Sequence, residues 1–180
     1  MNRAFRDLEA LIESSSLPPV ESWSPSKIGQ IDIRIRSDGV WLHEGREFSR
    51  NSIPKLFATV LVREQDRYYL KTPQEKLRIQ VDDVPFVVVD FEAEGSGSHQ
   101  KVIVSTNFDE HVYIDHEHHI YTTEFQGEKR PYVHIRSGLK AAVSRSVYYR
   151  LANDLVVANG RDELVLWSCG VEFVLARGVA

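Results

Sequence analysis

The sequence predicts a strand-rich α+β fold, built as two similar hairpin-helix-strands units by internal duplication and preceded by a short N-terminal helix. Three observations carry that reading. Ile31, Ile33 and Ile35 alternate with Asp32, Arg34 and Arg36, the period-two pattern of a strand with one buried and one polar face. Ile53, Leu56, Phe57, Val60 and Leu61 fall on one stripe at helical spacing. Leu139, Ala142, Val143 and Val147 reproduce that stripe at a constant spacing, and Arg136 precedes the second stripe as Arg50 precedes the first.

The elements follow in order. Phe5, Leu8, Leu11 and Ile12 predict an amphipathic helix over 2–13, ended by Ser14-Ser15-Ser16-Leu17-Pro18-Pro19. Residues 1–22 are therefore read as helix and linker. The first repeat spans 23–95. The Ile31 strand turns at Ser37-Asp38-Gly39 and returns through Val40 to His43, with Trp41 and His43 on a common side. A helix over 52–64 has Asn51 or Ser52 as cap and Pro54 in its first turn, where a missing N–H costs little. Strands follow at 67–71, 77–81 and 86–91, the last an apolar run expected to be buried on both faces. Gly95-Ser96-Gly97-Ser98 reads as a mobile connection. The second repeat spans 101–180. It has strands at 101–105, 111–114, 120–125 and 132–136, a helix from about Leu139, and a closing hairpin at 164–168 and 171–175.

Composition narrows the function classes. With 180 residues, 42% hydrophobic and 27% charged, the chain can bury a real core. A net charge of −4 disfavours nucleic acid as a partner, since general polyanion binders carry a strongly basic face. The single cysteine, Cys169, excludes an intramolecular disulfide and Cys-rich zinc sites, and suits a reducing compartment. Charges near the N-terminus occupy the place of a signal peptide's apolar core, and no apolar run approaches a membrane span. A cytoplasmic protein with no membrane partner is expected.

Arg50 and Arg136 are the most informative candidates. Each is expected where a strand feeds a helix N-terminus, which already carries partial positive charge, so each needs an anionic partner. That partner is either a bound phosphate or carboxylate, or an internal carboxylate in a structural ion pair. Tyr69, Lys71, Glu75 and Lys76 place an aromatic ring, two ammonium groups and a carboxylate around the turn at Pro73. Asp115-His116-Glu117-His118-His119 offers two imidazoles on one face of a strand, but it sits between strand signals and reads as a solvated turn; no metal is expected. The chain has no Gly-x-Ser-x-Gly elbow and no phosphate-cradling glycine loop, and Gly95-Ser96-Gly97-Ser98 opens no helix. No cofactor is expected.

Several motifs carry a resemblance: Trp23-Ser24-Pro25, Gly29-Gln30-Ile31-Asp32-Ile33, Asp38-Gly39-Val40-Trp41-Leu42-His43-Glu44-Gly45 and Tyr69-Leu70-Lys71-Thr72-Pro73-Gln74-Glu75-Lys76. Val81-Asp82-Asp83-Val84-Pro85-Phe86, Thr106-Asn107, Pro131-Tyr132 with Arg136, Leu139 with Arg145, and Trp167-Ser168 with Gly170 extend it. From about Trp23 onward the chain resembles the uncharacterised bacterial family labelled domain of unknown function, number twelve eighty-five. The resemblance implies a duplicated α+β architecture whose second half is pleckstrin-homology-like. It also implies a cleft between the halves that holds a nucleotide-like ligand in a signalling role.

The leading expectation is therefore a non-enzymatic regulator that binds a small anionic, nucleotide-like ligand in signal transduction. Its site would comprise Arg50, Arg136, Trp41, His43, Tyr69, Lys71, Glu75, Lys76 and Arg145. One alternative is a small hydrolase or lyase using His43 with Glu44 or Glu75 as acid and base. Another is an adaptor that takes peptides on a strand edge, with the protein partner unspecified.

Overall fold

The computed structural model describes Glu13 and residues 16–177; the helix expected over 2–13 lies, apart from its last residue, outside the described residues. Two compact units emerge: Ser15–Pro85 with Ser137–Leu139, and Phe86–Arg136 with the chain from Lys140.

The first unit contains β1 (Lys27–Ile35), β2 (Trp41–His43), β3 (Arg46–Glu47), helix α1 (Ser52–Thr59), β4 (Leu61–Glu64), β5 (Arg67–Lys71) and β6 (Glu75–Val81). Its sheet order is β3-β2-β1-β6-β5-β4. Two antiparallel meanders thus meet along one parallel pair, β1 with β6, in register from Lys27 opposite Glu75. The alternation seen in the sequence is the cause of the packing. Ile33 and Ile35 are buried, with Trp41, Leu61, Leu70 and Ile79, while Arg34 on the opposite face forks onto Asp82 at 2.8 and 2.9 Å. Helix α1 is shorter than its apolar stripe. It stops at Thr59 and Leu61 already belongs to β4, where it pairs with Leu70.

The second unit contains β7 (Phe86–Glu94), β8 (Lys101–Thr106), β9 (His111–Tyr113), β10 (Ile120–Phe125), β11 (Glu128–Arg136), β12 (Leu139–Val143), helix α2 (Arg145–Asp154), and β13 (Val156–Ala158), β14 (Glu163–Ser168) and β15 (Val171–Arg177). Its six-stranded sheet runs β10-β11-β12-β7-β8-β9, with β7 and β12 parallel. This is the first unit's topology repeated strand for strand: two meanders joined through their first and last strands. The β4–β5 and β10–β11 turns agree as well, with positive φ at Gln65 and Asp66 and at Gln126 and Gly127, as two-residue hairpins require. The expected α+β duplication is present, and its repeating element is the six-stranded sheet.

Three details differ from the sequence-based expectation. Leu139 to Val143 is strand β12, not the start of a helix; α2 begins at Arg145. Leu139, Ala141 and Ala142 are fully buried and Val143 nearly so, and the strand lies at the centre of the sheet. The helices consequently sit at different points of the repeat, α1 between the meanders and α2 after them. The 23–95 boundary also moves: β7 is a central strand of the second sheet, so the first unit ends at Pro85. Finally, the Gly95 segment forms a single 3-10 turn at Gly97–His99; Gly95 lies at φ +82°, and a Cβ there would meet the His99 carbonyl oxygen at 2.7 Å.

Val102, Ile103 and Val104 are all fully buried, which three consecutive strand residues can be only if both faces are covered. Helix α2 packs on β7, and β14 lies against β8. The junction is hydrogen-bonded: Val102 N–H donates to Ser168 Oγ at 3.0 Å, Gln100 Nε2 to the Trp167 carbonyl at 2.7 Å, and Cys169 N–H to the Gln100 carbonyl at 2.8 Å. No helix among the described residues is long and apolar enough to cross a membrane. Ser168→Ala leaves the Val102 N–H buried without its acceptor and is expected to cost about 1–3 kcal/mol in urea unfolding.

Candidate functional site

The expected site residues separate into distinct settings. Trp41 is 3% exposed on the core face of β2, so it offers no stacking surface. His43 lies exposed at the rim of that face, stacked on Phe48 at 5.9 Å. His43 pairs with Ile33 and Glu75 with Lys27, on opposite sides of β1. Six residues of strand, about 20 Å, separate them. The Glu75 carboxylate is held by Lys27 Nζ at 2.7 Å. The His43–Glu75 acid–base pair therefore does not form.

The two arginines are not equivalent. Arg50 is exposed and directly precedes Asn51, the N-cap of α1. Arg136 ends β11 and precedes a strand, which removes the helix-terminus argument for it. Its fork is filled from within: Nε and Nη2 donate to Glu110 at 2.8 and 3.1 Å, and the guanidinium lies 5.7 Å over the Phe86 ring. Both side chains of the pair are less than one-fifth exposed. Of the two partners weighed from sequence, Arg136 has the internal carboxylate.

Tyr69, Lys71 and Lys76 do assemble, while Glu75 turns to Lys27. Thr72 closes the β5–β6 hairpin, its Oγ1 accepting the N–H groups of Gln74 and Glu75 at 3.3 and 3.1 Å. That fixes Lys71 opposite Lys76 in register. Lys76 Nζ lies 4.8 Å over the Tyr69 ring and donates to Glu64 of β4 at 2.5 Å. The hydrogen bond from Lys76 holds the Glu64 carboxyl below its ordinary value.

Asp115 to His119 forms the β9–β10 turn. Asp115 Oδ1 accepts the N–H groups of Glu117 and His118 at 2.9 and 2.8 Å. The rings of His119 and His134 stack at 5.8 Å, and His134 Nδ1 is engaged with the Glu117 carbonyl at 2.8 Å. Among the described residues no group of three or more His, Cys, Asp or Glu is arranged to hold a metal ion.

One concave site lies where the sequence did not point, apart from Arg145. A cavity of about 510 Å³ lies between the β10–β11 hairpin and the start of α2. Phe125, Lys129, Arg130, Arg145, Tyr148 and Tyr149 line it, and Glu128 is its one carboxylate. Each is placed by a local cause. The tight Gln126-Gly127 turn sets Phe125 opposite Glu128 and Thr123 opposite Arg130. The Arg130 guanidinium then lies over the Phe125 and Tyr132 rings, at 5.6 and 5.9 Å. Arg145 opens α2 and reaches its own next turn, 5.9 Å over Tyr149. A hydrogen bond and charge interaction with Tyr149 hold its guanidinium above its ordinary pKa, with a smaller contribution from Glu128. The available signals were the basic run after Gln126-Gly127 and the Tyr148-Tyr149 pair. What joins them is the packing of α2, which no local pattern encodes.

Comparison with known proteins gives the following. Residues 18–84 match the N-terminal domain model of a domain of unknown function, DUF1285, and residues 85–175 match its C-terminal domain model. Among solved structures, a DUF1285 family protein from Silicibacter pomeroyi DSS-3 is 37% identical with a TM-score of 0.85, over 98% of this chain and 96% of that one. A DUF1285 family protein from Shewanella baltica OS155 is 30% identical with a TM-score of 0.52, over 67% of this chain and 90% of that one. No curated protein matches.

Two outcomes test the electrostatics. Arg136→Ala strands the Glu110 carboxylate in a poorly hydrated place and should destabilise the fold by roughly 3 kcal/mol in urea unfolding. Burial alone would push the Asp115 carboxyl up, but the N–H groups of His118 and Glu117 and the His118 ring outweigh it and hold it below its ordinary 3.8. A depressed folded pKa stabilises above the unfolded value and is lost as pH falls through the folded one. Asp115→Asn should therefore lower the melting temperature at neutral pH and flatten its decline below about pH 4.

Proposed function

The chain belongs to the DUF1285 family, and from its own geometry we propose that it is a ligand-binding protein whose second unit takes a small anion carrying a planar aromatic group. The observation that carries this is the cavity beside α2, where three cationic side chains face one carboxylate among three aromatic rings. Its volume falls in the range of small-molecule sites. Guanidinium forks suit phosphate or carboxylate oxygens, and a tyrosine ring suits the face of a base. The charge is local, since the whole chain is acidic at −4. A nucleotide is the simplest molecule that presents both parts, and binding one without chemistry fits a role in signalling.

The experiment is calorimetric titration with nucleoside mono-, di- and triphosphates, the matching nucleosides, and inorganic phosphate. Nucleotides should bind and nucleosides should not. Arg145→Ala and Tyr149→Ala should each weaken the tightest binder by about tenfold or more, since a charge-assisted hydrogen bond contributes about 1.5–3 kcal/mol. Failure of every nucleotide to bind at millimolar concentration, or unchanged affinity in both variants, would refute the reading.

A further inference from the structure

Lys71 is the one charged residue in the buried class among the described residues, at 9% exposure. A buried ammonium normally has a carboxylate in hydrogen-bond contact, because desolvation otherwise outweighs what it gains. Lys71 has only a long contact of this kind: its carboxylate oxygen, Glu64 Oε1, is 3.7 Å away. The same glutamate is already taken by Lys76, whose side chain is only 16% exposed. Two ammonium groups, set opposite one another across β5 and β6, thus share a single carboxylate. Like charges in direct cross-strand register repel.

The neighbouring groups do not correct the imbalance. Glu75 points its charge at Lys27 instead. Arg78, opposite Tyr69 and two residues beyond Lys76, stands on the same face and is exposed. Arg78 makes no ion pair among the described residues. This face of the hairpin therefore holds four cations, Lys71, Lys76, Arg78 and the exposed Arg67 two residues before Tyr69, around the Glu64 carboxylate that stands opposite Arg67. Glu64 itself keeps 40% of its side chain exposed.

We propose that Lys71, Lys76 and Arg78 form an oxyanion site for a phosphate group, with the Glu64 carboxylate as the internal occupant that an incoming phosphate displaces. Tyr69 forms the floor, its ring under the Lys76 ammonium. A phosphate supplies what the cluster lacks. Its charge near −2 balances the cations, and its several acceptor oxygens can reach both ammonium groups at once, where one carboxylate reaches only one well. The rigid Thr72 turn keeps the two lysines in place without the anion, so little ordering is needed on binding. The site lies on different residues from the α2 cavity and stands or falls separately.

The test uses inorganic phosphate as probe on the full chain, with sulfate, acetate and chloride at matched ionic strength, read by thermal shift and by phosphorus NMR line width. Phosphate should raise the melting temperature more than chloride or acetate does. Glu64→Gln should bind phosphate about tenfold more tightly, because the competing carboxylate is gone. Lys71→Met keeps the side-chain volume, removes only the charge, and should abolish the response. Arg145→Ala, in the other cavity, should leave it intact. Should Lys71→Met fail to fold, Arg78→Ala in the Glu64→Gln background tests the same site and should weaken the response; an undiminished response there overturns the proposal. The proposal is overturned if phosphate acts no more strongly than chloride on wild type and Glu64→Gln alike. It is overturned equally if Glu64→Gln leaves the affinity unchanged, or if the response persists without Lys71 and disappears without Arg145.

Discussion

The parallel pairing of the first and last strands of each meander pair is the constraint on which the architecture rests. β1 and β6 meet in this way in the first unit, and β7 and β12 in the second. Neighbouring strands within a meander pair through short turns, but this pairing joins strands separated by the whole unit. Where helix α2 and the β13–β15 sheet cover the faces of the central strands the side chains are dry, as at Phe86, Val88 and Ala141.

That constraint explains what the sequence discloses and what it withholds. Strands with one wet face are legible, because Ile31 to Arg36 alternate and the alternation is local. β12 reads as helix because Leu139-Lys140-Ala141-Ala142-Val143 has no wet face to alternate with, and alanine favours helix. Its strand identity comes from pairing with β7, far away in the chain. The end of α1 is hidden likewise, as Val60 and Leu61 continue the apolar stripe while their backbone has turned into β4. The helix stripes suggest duplication, yet the repeat resides in the strands.

The site residues divide along the same line. Tyr69, Lys71 and Lys76 can be found together because one hairpin supplies all three, whereas Glu75 goes to Lys27 of β1, which no local pattern announces. Arg136 is legible as an arginine in need of an anion. Its partner, Glu110, lies on a loop 26 residues upstream, and only the pairing of β7 with β8 and β12 places that loop. Phe125, Lys129, Arg130, Tyr148 and Tyr149 escape a reading of the sequence because no one segment contains them. They become a cavity only where α2 meets a hairpin.

The displaced helix gives a physical reason for that cavity. In the first unit the helix connects the meanders, between β3 and β4. In the second unit the connection at that point is the short Asp115 turn, tied by its own backbone hydrogen bonds. The helix instead follows β12, beginning at Arg145, and so borders the β10–β11 hairpin. The same strand scaffold then carries two different cationic clusters on corresponding meanders. On β4 to β6 it is a half-buried lysine pair around a carboxylate; on β10 and β11 it is an arginine-and-tyrosine cavity completed by a helix. A duplicated sheet that moves one helix thus gains a cavity at one meander while its strand order stays unchanged.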